Sequence, residues 1–263
     1  FGRIKLTSPL KRQKITVVLI IIGLLVVGGG VVAGTWYFVN RAPTVTPEYQ
    51  LKINSLIPAE NNQELFLTNK LPLGLRQEIY HERLQAASDF VTPRAGGGPL
   101  LNLYPTETLA VDSKTGAPTS KVIVDLNRFL AALDLALPIE FRVALGDKFM
   151  LGIYQAPTPA IFYLFNVLSY ERAGSNLTKD ASGLADTLFS PLLNDAEFSR
   201  QLRDHGFKDE VIDNVEVRTV RNEEDQIIML YAFLDQNTLL FTETVEAFEK
   251  ILGLYRTPLP TSR

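Results

Sequence analysis

The longest uninterrupted apolar stretch of the chain covers residues 15–39, where 25 successive positions carry no charge. As an α-helix this stretch would be about 37 Å long, at about 1.5 Å per residue, and the hydrocarbon core of a bilayer is about 30 Å thick. The apolar region of a signal peptide is shorter, about 7–15 residues, and precedes a cleavage site of small residues. The pattern therefore predicts one transmembrane helix over residues 15–39.

The flanks of this helix predict its orientation. Five basic residues and no acidic residue precede it, whereas Arg41 is the only basic residue close behind it. Basic flanks remain in the cytoplasm, and Trp and Tyr favour the headgroup level. We therefore expect a cell-membrane protein with a cytoplasmic tail of residues 1–14 and an outer part after the helix. The residues expected at the membrane interfaces are Lys11, Arg12, Lys14, Trp36 and Tyr37.

Small residues follow one face of the predicted helix. Gly23, Val27, Gly30 and Gly34 share this face, and the last two form a G-x-x-x-G pattern. Small side chains let a second helix approach closely, and packing is the main force that holds helices together in lipid. The face predicts a contact with another membrane helix, in a second copy or in another subunit. The alternative is that glycine is simply common in membrane helices.

The pattern of apolar and polar residues changes after the predicted membrane helix. Residues 40–50 contain two prolines and are typical of a linker, and residues 51–263 contain no second linker. Apolar residues at helical spacing predict helices over 74–90, 126–137, 181–193, 195–204 and 245–255. Alternating or continuous apolar runs predict strands over 100–111, 121–125, 148–154, 160–170, 215–220, 226–234 and 238–242.

The order of these elements predicts the fold class. Strands follow strands without regular β-α-β alternation, which favours an α+β domain of antiparallel strands packed with helices. Residues 148–193 and the C-terminal stretch share a strand–strand–helix order, so the domain is expected to contain two similar β-β-α units. We expect Pro138 to stop the second helix and Pro191 to break the third. Thr244 is expected to cap the last helix.

Charge and composition restrict the function. Five of the 26 basic residues precede the predicted helix, which leaves 21 against 29 acidic residues and a net charge of −8. This balance argues against a nucleic-acid partner, because phosphate contacts need a basic surface. The chain contains no cysteine, which excludes disulfides, thiol catalysis and cysteine-ligated zinc.

The patterns of common catalytic and metal sites do not occur after the predicted membrane helix; before it, Ser8 and Lys11 form an S-x-x-K pattern, which the expected cytoplasmic position argues against as a site. The two histidines, His81 and His205, lack the spacing of a zinc protease, and no G-x-S-x-G, Walker or dinucleotide-binding pattern is found. Two carboxylates from distant parts of the chain could still meet in the fold and act on a glycan. We predict no catalytic, cofactor-binding or metal-binding residues.

Aromatic residues are concentrated on the predicted strands. Tyr154, Phe162, Phe165 and Tyr170 could line an apolar groove, but aromatic residues that alternate along strands more often belong to the core. The core interpretation is preferred.

Residues 122–255 resemble uncharacterised bacterial single-pass envelope proteins with an α+β outer domain. The resemblance rests on Leu145-Gly146-Asp147-Lys148-Phe149, which leads into a strand, and on the final hairpin and helix at 227–255. The predicted topology is also similar to that of inner-membrane assembly proteins of type IV pilus and type II secretion machines. The resemblance implies a partner in the cell envelope and no particular activity.

Three hypotheses for the function follow. The first is a non-catalytic, membrane-anchored subunit of an envelope assembly, in contact with the lipid bilayer and with other envelope proteins or a second copy. The second is an outer domain that binds a ligand or acts as a sensor. The third is an enzyme that acts on envelope glycan.

Overall fold

The computed structural model describes residues 53, 55–68, 70–88, 90, 98–111 and 118–257. These residues form an α+β domain, as the sequence predicts, with nine strands and six helices. The strands are β1 Asn61–Phe66, β2 Leu100–Val111, β3 Pro118–Ile123, β4 Leu145–Tyr154, β5 Ala160–Val167, β6 Lys208–Ile212, β7 Val215–Arg221, β8 Ile227–Asp235 and β9 Thr238–Thr242. The helices are α1 Pro72–Ser88, α2 Leu126–Ala132, α3 Ile139–Arg142, α4 Tyr170–Leu193, α5 Ala196–His205 and α6 Val245–Arg256.

All nine strands belong to one sheet. Its order is β1-β2-β4-β5-β9-β8-β7-β6, and β3 pairs with the second half of β2. The prediction of antiparallel strands is wrong at one place, because β1 runs parallel to β2. A parallel pair needs a long connection, and α1 supplies it between these two strands. The sheet is therefore mixed.

The two central strands are buried on both faces. On β5, Ile161, Tyr163 and Phe165 belong to the apolar cluster on one face, and Phe162 and Leu164 belong to the cluster on the other face. The neighbouring β9 alternates in the same way. Side chains of successive strand residues point to opposite faces, so a strand in the middle of a layered domain needs apolar residues at nearly every position.

The helices cover the two faces unequally. Buried residues of α1 to α5 join one large cluster with the sheet, whereas α6 and the segment around Ile57 cover the other face. On α6, Phe248 and Ile251 are fully buried against β5, β8 and β9. The β-β-α order predicted for the two halves is present as β4-β5-α4 and β8-β9-α6, but the two helices lie on opposite faces.

The long helix α4 differs from the prediction at its start and at its break. It begins at Tyr170 rather than at residue 181, and its backbone departs from helical geometry at Asp180, with φ −155° and ψ 62°. The Asp180 carboxylate accepts a hydrogen bond from the N–H of Gly183 at 2.8 Å and so caps the second part of the helix. Pro191 lies inside the helix without breaking it.

Other boundaries also differ. The helix predicted to continue to residue 137 ends at Ala132, because Asp134 adopts a positive φ of 54°. The strands β1 and β6 were not predicted. On α1, Leu75, Ile79 and Ala86 are buried, whereas Leu84 is exposed. The N-cap prediction is confirmed, because the Thr244 hydroxyl accepts from the N–H of Ala247 at 3.3 Å.

Close packing against β4 predicts a large effect of one methyl group. A Cβ added at Gly152 would lie 2.3 Å from the Phe162 ring and 2.7 Å from the backbone oxygen of Leu101. We expect Gly152→Ala to lower the free energy of unfolding by about 1–3 kcal/mol, as overpacking does. Chemical denaturation of the full chain measures this.

The matched control is Gly174→Ala in α4, where the added Cβ meets nothing within 4 Å. Alanine favours the helix interior over glycine by about 0.5–1 kcal/mol, so this variant should be as stable as the wild type or more so. Equal stability of the two variants would contradict the described packing.

Candidate functional site

The residues predicted to contact the membrane lie outside the described part of the chain. This applies to the helix-packing residues Gly23, Val27, Gly30 and Gly34. It applies equally to the interface residues Lys11, Arg12, Lys14, Trp36 and Tyr37. Among the helices that the structure describes, none is both long and apolar enough to cross a bilayer. The predicted membrane span and linker therefore stay predictions.

The predicted aromatic positions divide into two groups. Tyr154, Phe162 and Phe165 are buried, which confirms the core interpretation for them. Tyr170 is 49% exposed, and the core interpretation is wrong there. The strand predicted to reach residue 170 ends at Val167, so this tyrosine lies in the first turn of α4 instead.

Four exposed apolar side chains lie at the end of the sheet where β4 begins and β5 ends. We name this group the end patch, and its members are Ile139, Val143, Leu168 and Tyr170. The backbone N–H of Leu168 donates to the Ala144 oxygen at 2.8 Å, which holds the end of β5 beside the end of α3. The ring centroid of Tyr170 lies 4.6 Å from that of Phe233. The patch is thus joined to the sheet by backbone and ring contacts.

Charged side chains of both signs border the end patch. A surface recess of about 320 Å³ includes Val143 of the patch in its lining. The charged residues of this lining are Glu140, Glu171, Arg172 and Lys179. An apolar centre with a charged border is the usual composition of a surface that binds another protein. Leu168 is 70% exposed, so contact with a partner would remove a large apolar side chain from water.

A buried ion pair lies at the opposite end of the two central strands. Glu243 follows β9 and is only 8% exposed. Its Oε1 accepts from Arg83 Nη2 at 2.7 Å, and its Oε2 accepts from the Ile161 N–H at 2.6 Å. Arg83 Nε also donates to the Pro159 oxygen at 3.2 Å. The pair therefore connects α1 to the start of β5 and the end of β9.

Burial has a strong effect on this carboxylate. Removal from water raises the pKa of Glu243 to about 7, although Arg83 and the Ile161 N–H both favour the charged form. Asp195 adds a smaller effect in the same direction as burial. Both carboxylate oxygens of Glu243 accept hydrogen bonds from groups of the fold, so we assign this carboxylate a structural role.

The third feature is a hollow in the sheet, which we name the fork hollow. Strand β2 pairs with β4 from Leu100 to Leu103 and with β3 from Thr106 onward. A gap therefore opens between β4 and β3 where β2 changes its partner. The hollow between them has a volume of about 400 Å³. Its lining comes from β2, β3, β4 and the segment before β1, and includes Ser55, Asn102, Tyr104, Lys121, Asp147 and Lys148.

Two hydrogen-bonded groups form the floor of the fork hollow. Asn102 is only 3% exposed, and its Nδ2 donates to Asn62 Oδ1 at 2.9 Å and to Ser55 Oγ at 3.4 Å. Lys121 Nζ contacts the two carboxylate oxygens of Glu64 at 2.9 and 3.0 Å. Burial raises the pKa of Glu64, but hydrogen bonds from Lys121 and Thr106 outweigh it and hold the pKa below its usual value.

Within the described part of the chain, the histidines and acidic residues do not form a metal site. No group of three or more His, Asp or Glu side chains is placed to hold a metal ion there. His81 is exposed on α1, and His205 ends α5 before Gly206, which has a positive φ of 61°. The acidic run at residues 223–225 lies in the β7–β8 turn, where Asp225 is near Arg221.

Sequence reasoning did not predict the end patch, the buried ion pair or the fork hollow. Glu243 and Arg83 are 160 residues apart in sequence, so only the fold reveals the pair. Leu168 continues an apolar run and resembles one more strand residue. A detectable signal was Ser169, which caps α4 by accepting from the Arg172 N–H at 3.4 Å and so marks the end of the strand.

Comparison with known proteins finds no relative of this chain. The chain matches no protein-family model, no curated protein and no solved structure.

The ionisation of Glu243 predicts how stability changes with pH. Its pKa is about 7 in the folded chain against an ordinary value of 4.5, so the folded state binds more protons between these values. The contribution of Glu243 to stability is therefore highest below this window and falls as the pH rises through it, by an amount on the order of 3 kcal/mol. Glu243→Gln removes this ionisation, and its free energy of unfolding should fall less than that of the wild type between pH 5 and about pH 7.5.

Denaturant titrations of the full chain at several pH values measure the difference. The matched control is Glu223→Gln, because the Glu223 side chain is 73% exposed in the β7–β8 turn. This control should keep the wild-type dependence. If Glu243→Gln kept it as well, the buried ionisation would be refuted.

Proposed function

We propose that this chain is a non-catalytic, membrane-anchored interaction subunit of a cell-envelope assembly. In this proposal residues 15–39 span the bilayer, with the N-terminus in the cytoplasm and the α+β domain on the outer side. The domain binds another envelope protein, or a second copy of the chain, through the end patch. A contact between membrane helices along the glycine face would strengthen the association.

The observation that carries the proposal is the exposed apolar character of the end patch. Soluble domains seldom expose several large apolar side chains side by side unless the surface binds a partner. Leu168 and Tyr170 project from the junction between a buried strand and a long helix, and this junction is held by backbone hydrogen bonds. A rigid apolar surface loses little conformational entropy on binding, which favours specific association.

A charged side chain in the end patch tests this surface. We expect Leu168→Glu to weaken association at least about tenfold, because burial of a charge without a partner opposes binding. Mass photometry and native electrophoresis of the full chain in mild detergent measure the complex. Crosslinking in membranes, followed by mass spectrometry, identifies whether the partner is another envelope protein or a second copy.

The matched control is Val211→Glu on the edge strand β6. Val211 is 70% exposed, as Leu168 is, and it lies on a different part of the sheet. The proposal requires that the control retains the complex and that Leu168→Glu loses it. A wild-type chain that migrates as a monomer and crosslinks to no envelope protein and no second copy would overturn the proposal.

The proposed topology has an independent test, which the lack of cysteine makes simple. Ser8→Cys and Glu223→Cys each introduce a single thiol, on opposite sides of the predicted span. In intact cells whose outer surface admits the reagent, a membrane-impermeant maleimide should label position 223 and should label position 8 only after lysis. Labelling of position 8 in intact cells, with position 223 protected, would refute the orientation.

A further inference from the structure

The fork hollow has the structure of a binding site, and it is separate from the end patch. We infer that it binds an uncharged saccharide. This inference goes beyond the proposed function and does not depend on it, because the end patch belongs to another part of the sheet surface. Four observations carry it: the backbone at the fork, the buried amide, the balance of charge, and the shape of the hollow.

The backbone at the fork leaves hydrogen-bonding groups on two facing strands. β4 pairs with β2 only from Leu151 to Tyr154, and β3 pairs only with β2. Ile123 of β3 and Lys148 of β4 both line the hollow, and among the described strands no β ladder joins β3 to β4. Backbone edges present donors and acceptors in alternation. A ligand with closely spaced hydroxyl groups can satisfy both kinds.

The buried side chain of Asn102 at the floor of the hollow also offers both a donor and an acceptor. The Asn102 carboxamide is almost wholly buried, yet it lines the hollow. Its amide nitrogen donates to Asn62 and Ser55, and among the described residues its oxygen accepts no hydrogen bond. These bonds fix the amide in place, so a ligand hydroxyl can donate to its oxygen without further ordering of the protein.

The charge of the hollow is balanced, which decides between ligand classes. Three charged residues line it, namely Lys121, Asp147 and Lys148. Glu64 neutralises Lys121 through two contacts, and Asp147 and Lys148 have opposite charges. A phosphate or carboxylate group would meet no excess positive charge here, so an uncharged ligand is favoured over an anion.

The shape and the apolar walls agree with a short chain of sugar rings. The hollow of about 400 Å³ adjoins a second recess of about 620 Å³, and the two share Ile53, Ser55 and Lys148. Val122 and Phe149 add apolar surface to the walls of the first. Binding sites of this size combine apolar walls with a few fixed polar groups. The C–H faces of sugar rings would contact these walls while their hydroxyl groups reach the polar floor.

A printed array of neutral and charged oligosaccharides, probed with the full chain in detergent, is the first experiment. We expect binding to neutral oligosaccharides. Calorimetric titration with the strongest neutral saccharide then compares variants. Asp147→Ala and Lys148→Ala change exposed side chains of the hollow, so they should keep the fold, and each should weaken binding at least about tenfold. Glu216→Ala, an exposed carboxylate on β7, should bind as the wild type does.

Each of three results would overturn the inference. The first is an array without neutral saccharides above the signal of an unrelated detergent-solubilised protein. The second is binding restricted to anionic saccharides, which would contradict the charge balance. The third is binding that Asp147→Ala and Lys148→Ala leave unchanged, which would place the saccharide elsewhere on the chain. None of these results bears on the complex formed through the end patch, so the two proposals fail separately.

Discussion

The pairing of β5 with β9 runs from Phe162–Thr242 to Asn166–Thr238 and joins two hairpins that are distant in sequence. One hairpin is β4–β5 and the other is β8–β9, and among the described strands no other ladder connects the two halves of the sheet. Closing so long a loop costs conformational entropy before any contact forms. Burial of both faces offsets this cost, because residues such as Phe165 and Leu240 pack into separate apolar clusters on the two sides.

The candidate sites depend on this frame. The end patch includes Leu168, which follows the last residue of β5, and the buried pair uses Glu243, which follows the last residue of β9. Because β5 and β9 are antiparallel, these two features lie at opposite ends of the same pair of strands. The fork hollow forms where β2 changes partner. The candidate surfaces thus lie at the borders of the sheet, where strands end or separate.

Much of this fold is visible in the sequence, for local reasons. The hairpin before α6 and the Thr244 cap follow from alternation and from a single hydroxyl residue. Strand β1 was missed because its sequence is polar and its pairing with β2 is distant. The part of α4 before the kink at Asp180 was missed, because the helix was predicted to begin at residue 181 and residues up to 170 were assigned to a strand, whereas the effect of Pro191 was overvalued. The sites escaped prediction because they depend on which distant residues meet, as Arg83 and Glu243 do.

Native-state hydrogen exchange of the full chain, followed residue by residue, tests the central claim that the β5–β9 pairing holds the two halves together. The amides of Leu164 and Leu240 should exchange only through global unfolding and be the slowest in the α+β domain. Amides of the edge strand β6, such as that of Val211, should exchange faster through local opening. If the β5 and β9 amides exchanged as fast as those of β6, the account would be contradicted.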